Sequence, residues 1–94
     1  MPRALLDAVI HAPLRLQIAA MLAAADTVDF ATMREMLDVS ESVLSKHVKV
    51  LEEAGYVAIR KITSDHRQRT WLGLTSAGRK AFAAHAAALR DLVG

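Results

Sequence analysis

The stretch that decides the fold is SESVLSKHVKVLEEAGYV, residues 40–57. Leu44, Val48 and Leu51 are four and three residues apart, which places them on one face of an α-helix. Ser40 precedes this face as a good N-cap residue, and Gly55 follows it as the usual residue beyond a helix end. We therefore predict a helix over about residues 41–54 with one apolar face and one polar face.

Another short helix comes directly before this one. Asp29 is a suitable cap for a helix in which Phe30, Met33 and Leu37 form an apolar stripe. Residues 38–40 then form a tight turn between the two helices. Two helices joined by so short a turn are typical of a helix-turn-helix motif.

The hydrophobic period changes after the central helix. YVAIRKI, residues 56–62, is rich in β-formers, and RTWLGL, residues 69–74, alternates between apolar and polar positions. A polar segment separates the two, so the sequence predicts a β-hairpin over about residues 56–74. We expect Trp71 to lie in the core rather than on a stacking surface. A last helix, capped by Thr75 or Ser76, follows over about residues 76–93.

The N-terminal part completes the order of elements. Apolar residues at helical spacing predict a short helix over about residues 3–11, and Pro13 suits the first turn of a further helix. Val28 is interpreted as the stub of a short edge strand. We predict an α+β, mainly α fold: one winged helix-turn-helix domain over residues 1–94, with a two-stranded hairpin as its wing and a C-terminal dimerisation helix.

Charge is distributed unevenly along the chain. The net charge is only +2, but residues 46–80 carry eight basic and three acidic groups. Such a basic segment indicates a polyanionic partner, and a solvated surface rich in lysine and arginine is the alternative. The sequence has no cysteine, which excludes disulfides and thiolate chemistry.

In their order and spacing these segments resemble small winged helix-turn-helix transcriptional regulators of the MarR/ArsR type. HAPLRLQIAAML, residues 11–22, is similar to the first helix of that family, and residues 40–57 are similar to its recognition helix. DHRQRTW, residues 65–71, resembles a basic wing, and LTSAGRKAF, residues 74–82, resembles the start of the last helix. The resemblance implies a homodimeric transcriptional regulator that binds double-stranded DNA at specific sequences. We predict a repressor, and an activator is the alternative.

The candidate DNA contacts follow from the polar face of the central helix and from the wing. The N-terminal half of a recognition helix enters the major groove, and a wing places basic side chains along the backbone or in the minor groove. The predicted DNA-binding residues are Ser40, Ser42, Ser45, Lys46, His47, Lys49, Arg67 and Arg69. For Ser40 the cap role is an equal alternative, and for His47 the alternative is a half-buried structural role. Arg67 is the expected wing tip, and Asp65 is expected to face an arginine of the wing or the turn backbone.

The last helix carries an apolar stripe that begins after the core is complete. We therefore predict a homodimer through this helix and the helix predicted over about residues 3–11. The predicted interface residues are Leu5, Leu6, Val9, Phe82, Ala86, Leu89 and Val93. The alternative is that the last helix folds back onto its own domain.

Motifs for catalysis are missing from the sequence. The four histidines are scattered, and neither a His-Glu-x-x-His nor a Gly-x-Ser-x-Gly motif occurs, so we predict no enzyme activity, no metal and no cofactor. His85 and Asp91 are six residues apart and do not share a helix face, which argues against a metal site there. The rival function is a winged-helix module that binds another protein instead of specific DNA.

Targeting signals and membrane segments are not indicated either. The longest uninterrupted apolar run, residues 18–25, has eight residues, whereas a membrane-spanning helix needs about 20. We expect a cytoplasmic protein without a membrane partner. With 94 residues we expect no separate sensor domain, and the sequence names no small-molecule effector.

Overall fold

The computed structural model describes residues 6–94. Its elements are α1 (Pro13–Ala24), β1 (Val28–Asp29), α2 (Phe30–Leu37), α3 (Glu41–Glu53), β2 (Val57–Ser64), β3 (Arg67–Leu74) and α4 (Ser76–Val93). Within these residues, four helices and a small antiparallel sheet, with α2 and α3 joined by a short turn, confirm the predicted winged helix-turn-helix fold. The observed bounds of α3, the hairpin and α4 agree with the predicted ones to within one residue.

Side-chain caps fix the starts of three helices. The Asp29 carboxylate accepts a hydrogen bond from the Thr32 amide at 2.7 Å, and the Ser40 hydroxyl accepts one from the Val43 amide at 3.2 Å. Thr75, rather than Ser76, caps α4. Each cap satisfies an amide that a helix end otherwise leaves without a partner.

The sheet has three strands in the order β1-β3-β2, all antiparallel. Leu72 pairs with Val28 on one side and with Ile59 on the other, so Val28 belongs to an edge strand as predicted. At the far end, Asp65 and His66 form a two-residue turn in which both residues have positive φ, 52° and 62°. Two left-handed residues match the twist of a hairpin, although asparagine and glycine usually occupy these positions.

The core lies where the apolar faces of α1, α2 and α3 meet the sheet. Its fully buried side chains include Ile18, Leu22, Met33, Leu44, Leu51 and Leu72. Because one face of α3 is used completely for this packing, the opposite face is left to solvent. This packing fixes the orientation of α3 within the domain.

The helix predicted over residues 3–11 is wrong for the part that the structure describes. Residues 8–10 form a turn, in which the Asp7 carboxylate accepts from the amides of Val9 and Ile10 at 2.9 and 3.1 Å. An aspartate side chain that bonds nearby amides competes with helical hydrogen bonding, which explains the turn. Ile10 reaches the core and is 1% exposed. Leu5 lies outside the described residues.

Trp71 does not belong to the core, contrary to the prediction. It is half-buried, and its neighbour Leu72 supplies the core side chain of β3. Alternation along the strand turns Trp71 to the outer face of the sheet, where Arg60 is its partner on β2. There it borders an open depression together with Ile62 and Arg69.

The last helix, α4, is the longest element, with 18 residues. Gly78, His85 and Ala88 are its buried residues, whereas Leu92 and Val93 near its end are 52% and 86% exposed. The first part of α4 therefore packs on its own domain, and the end of the helix leaves apolar surface open. Within residues 6–94, no helix combines the length and the apolar character needed to cross a membrane.

Candidate nucleic-acid interface

The outward face of α3 carries the polar residues that the sequence singled out. Ser42, Lys46 and Lys49 are exposed and lie roughly opposite the buried Leu44 and Leu51. A helix turns by about 100° per residue, so these three positions form one stripe along the helix. The stripe presents one hydroxyl and two ammonium groups, all of which donate hydrogen bonds to phosphate or base edges.

Two serines at the start of α3 are joined to each other. The Ser40 hydroxyl, which caps the helix, lies 3.3 Å from the hydroxyl of Ser42. The cap role of Ser40 is thus observed, and its DNA contact stays a prediction. Ser45, one turn further along α3, is exposed and turned toward the wing.

His47 is half-buried on the flank of α3. Its Nδ1 lies 3.2 Å from the guanidinium Nη1 of Arg15, in α1. Burial, together with the positive charges of Arg15 and Lys46, lowers the pKa of His47 below its usual value. The ring is therefore kept neutral near pH 7. No pattern in the sequence indicates this contact, because its partners are 32 residues apart.

The wing projects its basic residues into solvent. Asp65 and His66 form the corners of the turn, and Arg67 begins β3 opposite Ser64, so Arg67 flanks the tip rather than occupying it. Both Arg67 and Arg69 are exposed. In the described part of the chain, Asp65 forms no ion pair with an arginine.

Arg69 has a partner within the protein. Its guanidinium Nη1 lies 3.7 Å from the Asp29 carboxylate, and its side chain is 56% exposed. The Thr32 amide, more than Arg69, lowers the pKa of Asp29. An ion pair this long and this exposed is weak, so it leaves Arg69 available to another anion.

An open cleft separates α3 from the inner face of the wing. Its volume is about 440 Å³, with Ser45 and Lys49 on the helix side and Lys61 and Thr70 on the wing side. Lys61 was not among the predicted contacts, although strand alternation places it on the same face as Ile59. α3 and the wing thus form two separate projections with a gap between them, and Glu41 and Glu52 of α3 also line this gap.

The residues predicted for a dimer interface differ in their solvent exposure. Val9 and Phe82 pack against the core of their own domain, and Leu6, Ala86 and Leu89 are half-buried. Val93 is the most open of them at 86% exposure. The free apolar surface of this set therefore lies toward the C-terminal end of α4.

A partly buried polar cluster joins the N-terminal turn to α4 and to the start of the wing. The Tyr56 hydroxyl donates to the Asp7 carboxylate at 2.6 Å, and the Asp7 amide donates to Nδ1 of His85 at 3.0 Å. The Asp7 bond raises the pKa of Tyr56, and it also helps to lower the pKa of Asp7 against the opposing effect of burial. His85 is therefore a structural residue inside the fold.

Comparisons with known proteins agree with this geometry. A family model for a winged helix DNA-binding domain matches residues 14–93. An uncharacterized protein of Methanocaldococcus jannaschii is 31% identical over 74 residues, which cover 79% of this chain and 80% of that protein.

Two solved structures are similar over most of this chain. A transcriptional regulator homologue from Pyrococcus horikoshii has a TM-score of 0.87 and 27% identity, over 90% of this chain and 84% of that one. A haem sensor protein from Streptococcus agalactiae, in complex with haem, has a TM-score of 0.77 and 27% identity, over 90% of this chain and 59% of that one.

Proposed function

Because the chain belongs to the family of winged helix DNA-binding domains, we propose that it acts as a cytoplasmic, homodimeric repressor that binds double-stranded DNA at specific sequences. The family and the fold are those of DNA-binding transcription regulators rather than enzymes. One observation carries the proposal. The stripe of Ser42, Lys46 and Lys49 on α3 is exposed, and it lies opposite a buried face.

In the proposed complex, α3 lies in the major groove, which is wide enough for a helix. Lys46 and Lys49 contact guanine edges or phosphates, and the hydroxyls of Ser42 and Ser45 bond neighbouring acceptors. Ser40 keeps its cap role and adds a contact to phosphate near the helix N-terminus. His47 donates to a backbone phosphate from the flank of the helix.

The wing supplies the second part of the proposed contact. Arg67 enters the minor groove beside the turn, where the negative potential favours arginine. Arg69 exchanges its weak pair with Asp29 for a phosphate. These contacts position the protein on the duplex and carry little sequence information.

A second copy completes the proposed binding unit. The exposed Val93 and the half-buried Leu89 and Ala86 lie on one face of α4, and covering them with the same face of a partner removes apolar surface from water. A two-fold dimer presents two α3 helices to successive turns of the major groove. Occupying an operator in this way blocks access to it without further contacts, which is why we propose repression.

A second candidate function is a module that binds another protein through its wing. The observation that favours it is the depression on the outer sheet face, where Ile62 is 44% exposed next to Trp71. Aromatic and arginine side chains are enriched at protein interfaces, and Arg67 and Arg69 line this depression together with Ser64 and Asp65. If the protein binds only another protein, we expect it to show no salt-dependent affinity for DNA.

The experiment that tests the proposed function is a selection of genomic fragments by the purified protein, followed by sequencing. The enriched fragment and a shuffled version of it are then titrated with protein at one fixed salt concentration. We expect the enriched fragment to bind at least about 10³-fold more tightly. Equal affinities would contradict specific recognition, and no affinity for either duplex would favour the protein-binding alternative.

A further inference from the structure

Arg15 connects the N-terminal turn to the recognition helix. Its Nε donates to the carbonyl of Val9, and its Nη1 lies 3.2 Å from Nδ1 of His47. The residue is itself half-buried in α1. One guanidinium thus bridges a backbone carbonyl of the turn and a side chain of α3.

The chemistry of the guanidinium fixes the tautomer of the imidazole. Arginine has donors only and keeps its proton in proteins, so Nδ1 of His47 must accept with its lone pair. In a neutral ring the single hydrogen is then on Nε2. The lowered pKa of His47 keeps the ring neutral near pH 7.

The other ring nitrogen is free to contact a ligand. Among residues 6–94, every buried side-chain nitrogen or oxygen has a hydrogen-bond partner within the protein. The described hydrogen bonds of His47 involve Nδ1 only, so Nε2 lies at the surface. His47 also directly follows Lys46, which is exposed on the proposed DNA-facing side.

We propose that Arg15 is a positioning residue for DNA binding, which holds His47 in the tautomer whose Nε2–H donates to a backbone phosphate. The inference rests on the proposed function. Phosphate oxygens accept hydrogen bonds and do not donate them, so only this tautomer of a neutral histidine makes the contact. In the opposite tautomer, Nε2 directs a lone pair toward the phosphate, so the hydrogen bond to the phosphate is lost.

The same geometry connects the N-terminal turn to the proposed DNA-binding surface. The Val9 carbonyl accepts a hydrogen bond from the guanidinium, and the Asp7 carboxylate accepts one from the Val9 amide at 2.9 Å. His85 in turn accepts from the Asp7 amide. A chain of polar contacts therefore leads from α4 through the turn and Arg15 to His47 on α3.

The first test measures the tautomer without DNA. Long-range ¹H–¹⁵N NMR of the full chain at pH 7.5 distinguishes a protonated from an unprotonated ring nitrogen. We expect His47 in the wild type to show one tautomer, with Nδ1 unprotonated and Nε2 protonated. Arg15→Met keeps the aliphatic stem and loses the donors, so a mixture of tautomers is expected. Arg34→Met, which removes an exposed arginine from α2, is the matched control and leaves the His47 signals unchanged.

The second test measures the phosphate contact by a double-mutant cycle on the selected DNA fragment. His47→Ala is expected to weaken binding roughly tenfold, because it removes the phosphate contact. Arg15→Met is expected to weaken binding by a smaller factor, the inverse of the fraction of His47 that keeps its hydrogen on Nε2, after correction for the charge effect seen in Arg34→Met. Because Arg15 acts through His47, the double variant is expected to bind no more weakly than His47→Ala after the same correction. Arg15→Lys keeps a donor and is expected to recover part of the affinity. This comparison distinguishes the loss of the hydrogen bond from a loss of affinity caused by unfolding.

The two proposals fail in different ways. A wild type that binds DNA while Nδ1 of His47 is protonated, or losses that add fully in the double variant, would overturn the role of Arg15 alone. A wild type that binds no DNA would overturn the proposed function, and the phosphate contact with it.

Discussion

Asp7 and His85 are joined across 78 residues by a hydrogen bond from the Asp7 amide to Nδ1 of His85, 3.0 Å long. His85 is 1% exposed, and its Nε2 lies 3.3 Å from Nδ1 of His11. Because an amide only donates, Nδ1 accepts, and the neutral ring donates from Nε2 to His11. Protonation of His85 would place a hydrogen against the Asp7 amide, so this buried pairing requires a neutral ring.

This requirement predicts that stability falls in mild acid. Burial first, and then His11, lower the pKa of His85 below its ordinary 6.5, against an opposing effect of the Asp7 carboxylate. Below pH 6.5 the unfolded chain binds a proton that the folded chain resists, so the free energy of unfolding is largest above pH 6.5 and decreases as the pH falls below it. His47 acts in the same direction.

Urea unfolding between pH 7.5 and 5.5 measures this dependence. His85→Gln, which cannot titrate, is expected to show a smaller decrease over the interval than the wild type. His66→Gln, which changes an exposed histidine at the wing turn, is the control and keeps the wild-type decrease. An equal decrease in the wild type and in His85→Gln would show that the buried histidine is not responsible.

Gly78 packs directly against the backbone carbonyl of Tyr56, where α4 meets the start of the wing. A Cβ at this position would overlap that carbonyl, and a backbone group inside the fold cannot rotate away. We expect Gly78→Ala to lower the free energy of unfolding by about 1–3 kcal/mol or more, as overpacking does. Ala77→Ser, at the exposed neighbour, is expected to stay within about 0.5 kcal/mol. Equal urea midpoints for the two variants would contradict the close packing.

Arg67 is predicted to contribute to DNA affinity without contributing to sequence choice. Arg67→Ala is expected to weaken binding to enriched and shuffled fragments alike, and to lower the slope of log affinity against log salt by about one unit per site. Fluorescence anisotropy titrations at several salt concentrations measure both quantities. Lys80→Ala, which removes an exposed charge from α4, is the control. A loss confined to the enriched fragment would instead make Arg67 a base-reading residue.

The apolar end of α4 is predicted to hold two copies together. Leu89→Asp and Val93→Asp are expected to convert a dimer into a monomer, because each places a carboxylate in an apolar interface. Val93 is 86% exposed in the single chain, so its substitution leaves the fold intact. Ala84→Asp adds the same charge on the opposite face of the helix and is expected to remain dimeric. Sedimentation or light scattering measures the oligomeric state of each variant. A monomeric wild type would refute the proposed interface.

The sequence predicted the parts of this protein whose signals are local. Ser40 caps α3 through an amide three residues later, and Thr75 caps α4 in the same way. Periodicity located the buried face of α3, and with it the open face opposite. The candidate DNA-binding residues on that face could therefore be placed without a structure.

Contacts between distant residues could not be predicted in this way. Residues 3–11 have helical spacing, yet the Asp7 side chain holds residues 8–10 in a turn. In β3 the alternation is clear, but either Trp71 or Leu72 could face the core, and the packing of β3 against α1 and α2 decides for Leu72. The bridge from Arg15 to His47 leaves no pattern in the sequence, because it depends on how α1 packs on α3.

The most direct measurement of the central claim is the affinity of Lys46→Ala and Lys49→Ala for the enriched DNA fragment and for its shuffled version, at one salt concentration. If α3 reads the major groove, each variant loses about 1–3 kcal/mol on the enriched fragment, more than on the shuffled one, so that specificity decreases. Lys80→Ala is expected to keep the wild-type ratio between the two fragments. If both α3 variants bind the enriched fragment as tightly as the wild type does, α3 is not the recognition helix.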